Sequence, residues 1–103
     1  MRKAEVYQQG TLAGILEEID RNRRYRFAYA AGYSGEPISL AWPIREGAYE
    51  CDGFPPVFEG LLPEGLSLEA MLRQYKIDKH DLFRQLVTVG GDVVGSLTIT
   101  EMP

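Results

Sequence analysis

Residues 24–29 read Arg-Tyr-Arg-Phe-Ala-Tyr. Tyr25, Phe27 and Tyr29 alternate with Arg24, Arg26 and Ala28, a period of two that an extended strand turns into one aromatic and one polar face. Such a strand cannot stand alone. Its backbone groups need ladder partners and its aromatic face needs a cover. The rest of the chain has to supply these.

Upstream, Val6-Tyr7 and Leu12-Ala13-Gly14-Ile15-Leu16 flank Gln8-Gln9-Gly10, which predicts a hairpin with Gly10 in its turn. Asp20-Arg21-Asn22-Arg23 predicts a second polar turn into the aromatic strand. Downstream, Gly32–Pro37 reads as a loop and Ile38-Ser39-Leu40 as a short strand ended by Pro43, which lacks a ladder donor. Gly47, Gly53, Pro55 and Pro56 mark residues 44–57 as an irregular excursion.

Helical spacing begins later. Ser67 is placed to cap a helix whose Leu68, Met71, Leu72 and Tyr75 form one stripe. Asp78 is placed to cap a second, with Leu82, Phe83, Leu86 and Val87 as its stripe and Gly90 as the left-handed residue beyond its end. Val93, Leu97 and Ile99 then alternate with Val94, Ser96 and Thr98 in a last strand. The order implies an α+β fold. We expect a small, mainly antiparallel sheet, two short helices near the C-terminus, and a final strand returning to the N-terminal sheet. The length, 103 residues, suits a single domain over 1–103 with one core.

Formal net charge is −4. Residues 1–50 balance seven basic against seven acidic side chains, while residues 51–103 carry four against eight. That surplus repels phosphate backbones, so direct nucleic-acid binding is not expected. Cys51 is the sole cysteine, which forbids an internal disulfide and suits a reducing compartment. No apolar signal region follows Met1, and no apolar run approaches the roughly 20 residues needed to span a bilayer. The expectation is a soluble, cytoplasmic protein without a membrane role.

Chemistry has few footholds. His80, the only histidine, falls in the first turn of the second expected helix with no marked partner, and reads as a surface residue. Cys51 lacks the companion ligands of a zinc site. Gly90-Gly91-Asp92-Val93-Val94-Gly95 has the glycines of a phosphate loop, but follows a helix and precedes a strand, the reverse of what a helix-amide phosphate site needs. Arg21, Arg23, Arg24 and Arg26 read as a solvated turn and strand face near Glu17, Glu18 and Asp20. Neither a catalytic set nor a cofactor or metal site is expected. The unusual segment is Phe58-Glu59-Gly60-Leu61-Leu62-Pro63-Glu64-Gly65-Leu66. It is either a packed connection with Leu66 stapled to the following helix, or an apolar loop presented to a partner.

Three stretches together resemble the N-terminal subdomain of the HipA-type kinases. Phe27-Ala28-Tyr29 through Tyr33, with Pro37-Ile38-Ser39-Leu40 and Pro43, is similar to the family's aromatic strand and following "PLSLSLP"-like strand. Phe58–Gly65 is similar to its "F-x-N-L-L-P-E/D-G/N" signature, and Gly90–Leu97 to its "G-x-D-x-x-G-A-L". The similarity runs from about residue 4 to 100. In the family, kinase machinery follows this subdomain. The sequence here ends at Pro103 before any such motif, so no catalytic residue carries over and a non-enzyme is expected.

On that reading the chain resembles the HipS-type antitoxins of tripartite HipBST toxin–antitoxin systems. The resemblance implies a partner, a shortened HipA-like serine/threonine kinase toxin (HipT) whose missing subdomain is supplied in trans and which is neutralised by it. It implies a helix-turn-helix protein (HipB) as a further partner. We expect the toxin contact at Trp42, Phe58, Leu61, Leu62, Pro63, Glu64, Gly65 and Leu66, where apolar side chains sit beside stiff proline turns. Two routes of inhibition stay open: insertion between the kinase lobes, or stabilisation of an inactive nucleotide loop. The competing functions are a regulatory subunit of another assembly, DNA contact through Arg21–Arg26, and an unrecognised enzyme.

Overall fold

The hairpin around Gly10 forms as expected. Strands β1 (Arg2–Gln8) and β2 (Thr11–Asp20) pair antiparallel across Gln9 and Gly10, with φ of 50° and 83°. Both values are positive, the turn that matches the twist of the flanking strands. Asn22, φ 61°, turns the chain into β3 (Arg24–Tyr29), which pairs with β2. A computed structural model describes residues 1–90 and 97–103. In it, β4 (Tyr49–Asp52) pairs with β3, β5 (Leu97–Glu101) pairs with β1, and the antiparallel order is β4-β3-β2-β1-β5. Among the described residues the helices are α1 (Pro56–Glu59), α2 (Gly65–Tyr75) and α3 (Leu82–Val89).

The register puts Ala4, Val6, Leu16, Tyr25, Phe27, Tyr29 and Ile99 on one face of the sheet, all buried. Phe58 of α1 and Phe83 and Leu86 of α3 cover that face and are fully buried. Phe27 sits at the centre, edge-on to Tyr29 at 4.9 Å and tilted against Phe58 at 6.3 Å between centroids. Burying each such ring is worth about 2–3 kcal/mol.

At one end of the core lies a buried ionic cluster. Glu18, 3% exposed, accepts two hydrogen bonds from the Arg2 guanidinium, at 2.7 and 2.8 Å, one from the Asn22 amide and one from the Tyr25 hydroxyl. Arg2 also reaches Asp81, whose side chain accepts from the Arg84 amide and so caps α3. One guanidinium thus ties the sheet to the start of α3.

Several local expectations need correction. Ile38–Leu40 is not a strand. Ile38 is buried and its amide donates to the Tyr29 hydroxyl, and only an isolated bridge joins Ser39 and Trp42. The missing strand is Tyr49–Asp52, inside the stretch expected to be irregular. A third helix, α1, begins where Pro56 occupies a first-turn position that needs no amide donor. Ser67 lies inside α2, which is preceded by extended Glu64 with no side-chain cap. Asp78 accepts from the His80 amide in a turn ahead of α3, so Asp81 is the cap and exposed His80 precedes the helix.

Gly90 is right-handed, with φ −55°. It is glycine for space: an added Cβ would run into the Ile99 carbonyl, and Ile99 donates its amide to the Gly90 carbonyl at 3.0 Å. The arginine cluster is neutralised mainly from β4. Arg24 meets Glu50 and Asp52, and Arg26 meets Glu50. The expected strand residues Val93, Val94 and Ser96, and the signature residues Gly91–Ser96, lie outside the described residues.

Candidate functional site

The structure distributes the eight expected contact residues over two segments that share one support. Trp42 closes the loop after β3. Its ring stacks on Phe27 at 5.4 Å and on Tyr49 at 5.6 Å, and tilts against Phe58 at 6.2 Å. Its carbonyl accepts from the Tyr29 hydroxyl. Trp42 is half-buried, so its ring is part support and part surface. Phe58 is fully buried; it anchors the second segment and offers no area to a partner.

From Phe58 the chain leaves the core in steps. The Leu61 amide donates to the Phe58 carbonyl and the Leu62 amide to the Glu59 carbonyl, continuing the turn of α1 for three residues. Leu61 and Leu62 are half-buried against the core edge. Pro63 and Glu64 extend the chain, and Gly65 starts α2 at φ 60°, a left-handed conformation that disfavours any side chain. Leu66 follows and is 84% exposed. It therefore makes no staple to the helix, which corrects that expectation.

Helix α2 is lightly attached. Of its eleven residues only Met71 is buried, and Met71 stands apart from the main core cluster. Leu68 and Leu72 are half-buried, and Tyr75 is 56% exposed. The helix ends on left-handed Lys76, φ 55°. A shallow cleft of about 170 Å³ separates Leu62, Pro63 and Leu68 from Leu82 and Gln85 at the start of α3, with Glu59, Glu64 and Lys79 at its rim.

The titratable groups are engaged structurally. Burial pushes the Glu18 carboxyl up, but Arg2, the Asn22 amide and Tyr25 outweigh it and hold Glu18 below the usual carboxylate range. The same contest, won by Arg2 and the Arg84 amide, holds Asp81 low. Tyr25 is raised by burial and by Glu18. Cys51 is half-buried; burial, then Asp52, push its thiol up, which suppresses the reactive thiolate. Among the described residues, no group of three His, Cys, Asp or Glu side chains is placed to hold a metal ion. None of the described helices is long and apolar enough to cross a membrane.

A larger cleft, about 460 Å³, opens at the far end of the sheet between the Gln8–Leu12 turn and residues 30–36. Its titratable side chains are Tyr33 and Glu36, and it holds none of the expected residues. Sequence reading missed Leu40, which is fully exposed at the tip of the Trp42 loop. The lack of any charge from Pro37 to Ile44 was the available signal.

Comparison with known proteins agrees with this layout. The family model of the HipA N-terminal domain matches residues 4–100. An uncharacterized protein of Haemophilus influenzae is 33% identical over 101 residues, a span of 98% of this chain and 93% of that protein. Among solved structures, one described as the N-terminal domain of HipA toxin aligns with a TM-score of 0.76 at 29% identity, covering 100% of this chain and 94% of that one.

Proposed function

The chain belongs to the HipA N-terminal domain family, and from that premise we propose that it is a non-catalytic antitoxin of the HipS type. As one docking domain over residues 1–103, it binds a HipA-like serine/threonine kinase toxin (HipT) in the cytoplasm and neutralises it, within an assembly that includes a HipB-like helix-turn-helix protein. The observation that carries this reading is the Phe58–Leu66 segment. Its first side chain is locked in the core while Leu66, eight residues on, is held almost wholly in solvent. A Leu in water forgoes about 2 kcal/mol of burial, which a partner surface would recover.

The rest of the candidate set fits that role. Trp42, Leu61, Leu62 and Pro63 are half-buried, so each keeps part of its surface available beside Glu64, Gly65 and Leu66. They are fixed on the Phe27–Trp42–Phe58 cluster, so little ordering is lost on binding. Of the two routes of inhibition, the exposed Leu66 favours insertion between kinase lobes, which blocks the closure that phosphoryl transfer needs.

The test is co-expression with a HipA-like kinase from the same genome, scored for growth rescue and for a stable complex. Wild type is expected to rescue and co-purify, and Leu66→Asp to lose rescue. Full rescue and full binding by Leu66→Asp would remove the insertion route.

A further inference from the structure

Leu40 is fully exposed, yet the backbone on either side of it is hydrogen-bonded. The Trp42 amide donates to the Ser39 carbonyl at 3.1 Å, closing a four-residue turn with Leu40 and Ala41 at its centre. The Ser39 hydroxyl oxygen accepts from the Ala41 amide at 3.1 Å. Both ends of the turn are fastened to Tyr29, through the Ile38 amide on one side and the Trp42 carbonyl on the other. Ile38 and Trp42 pack inward while Leu40 stands between them pointing out. Eight consecutive residues here, Pro37 to Ile44, carry no charge, and Ala41, Pro43 and Ile44 are exposed with Leu40. A stiff turn that presents a leucine among uncharged neighbours gains from docking without first having to order itself.

The charge pattern says what kind of surface it fits. Residues 27–72 carry seven acidic side chains and one basic one, Arg45, while the remainder of the chain carries eight acidic and ten basic. Arg45 is occupied, donating to the Gly47 and Ala48 carbonyls and lying over the Tyr49 ring. Glu36, Glu46, Glu59 and Glu64 are exposed, and among the described residues none of them has an ion-pair partner. Two copies of this chain would bring like charges together, whereas a basic surface would be drawn in.

We propose that the Ser39–Trp42 turn is a second docking element, with Leu40 its apolar knob, and that its occupant is an apolar pocket bordered by basic side chains on the kinase partner. This rests on the docking role proposed above and adds to it a contact outside the Phe58–Leu66 segment. The two segments share the Trp42–Phe58 contact, so they are positioned as one surface.

The experiment measures the affinity of the full chain for the co-expressed HipA-like kinase by calorimetry, for wild type, Leu40→Asp and Leu40→Ala, at about 0.05 and 0.5 M NaCl. Thermal melts serve as the folding control. Leu40→Asp is expected to bind at least about tenfold more weakly with its melting point unchanged, Leu40→Ala to fall between, and wild-type affinity to drop with salt. Unaltered affinity in both variants would overturn the proposal and leave the antitoxin reading standing. Salt-independent binding would overturn the basic border, and a wild-type dimer that Leu40→Asp splits would show the occupant to be a second copy. Failure of wild type to bind any HipA-like kinase would remove the antitoxin reading and this proposal with it.

Discussion

The β1–β3 meander and the stretch from Pro37 to Tyr75 use the same kinds of residue in opposite ways. In the meander, aromatic and aliphatic side chains point into the core, and the deepest charge, Glu18, is surrounded by donors. In the second stretch, Leu40, Ile44, Leu66 and Tyr75 face solvent, and the carboxylates at 36, 46, 59 and 64 stand unpaired among the described residues. Only Ile38, Pro55, Phe58 and Met71 of that stretch are deeply buried, and none of the β4 residues is. One region therefore carries the stability, and the other is held on it as a presented surface. The difference shows that exposure in this chain follows the anchoring of the backbone: Leu40 follows buried Ile38 by two residues, and Leu66 lies between buried Phe58 and Met71.

The division can be broken most sharply in the core. Phe27→Ala should cost about 3–5 kcal/mol in urea unfolding, a large share of what a domain of this size has. A loss under about 1 kcal/mol would mean the meander is not where stability resides. Next comes the ionic cluster. Glu18→Gln leaves the Arg2 guanidinium with Asp81 alone and should cost about 3 kcal/mol.

The same variant sharpens the comparison through pH. Glu18 and Asp81 are held below their ordinary values, so their contribution is complete above the normal carboxylate range. It is lost as pH falls below that range and through their lower folded values. Acid unfolding monitored by circular dichroism should therefore be steeper for wild type than for Glu18→Gln. Equal slopes would show that Glu18 is not held low. A smaller effect is expected at Glu101→Gln, whose bond to Arg84 is more than a third exposed and is worth at most about 1 kcal/mol. The smallest is expected at Leu66→Asp, within about 0.5 kcal/mol of wild type, because that side chain is 84% exposed. A large loss there would place Leu66 in the stabilising region and merge the two.

Sequence reading was most reliable where one local signal decided the outcome. The Tyr25-Phe27-Tyr29 alternation and the Gly10 turn fix strand identity and register without reference to distant residues. Tyr49–Asp52 escaped because an edge strand of four residues, with Tyr49 and Cys51 only half-buried and glycines on both sides, lacks a clear period. Ile38–Leu40 misled for the converse reason. Its spacing fits a strand, but Tyr29 captures the Ile38 amide and the Ser39–Trp42 bond bends the chain back. The start of α2 depends on the positive φ of Gly65 and on no capping side chain, so Ser67 drew attention that belonged two residues earlier. Gly90 was recognisable as a special position. Its cause, the approach of Ile99, is a tertiary fact that no local pattern contains.

For the candidate site, the sequence marked the Phe58–Leu66 segment but could not separate its buried root from its exposed tip. That separation depends on Phe27 and Trp42, both distant in sequence from Phe58. Leu40 is not marked by the sequence, because the Ile38-Ser39-Leu40 spacing reads as a strand.

The most direct measurement is hydrogen–deuterium exchange of this chain alone and in complex with a HipA-like kinase from its own genome. The account expects new protection in residues 38–46 and 58–76, with amides of β1–β3 slow in both states and unchanged. Protection confined to the β1–β3 strands, with residues 38–46 and 58–76 exchanging as in the free chain, would contradict it.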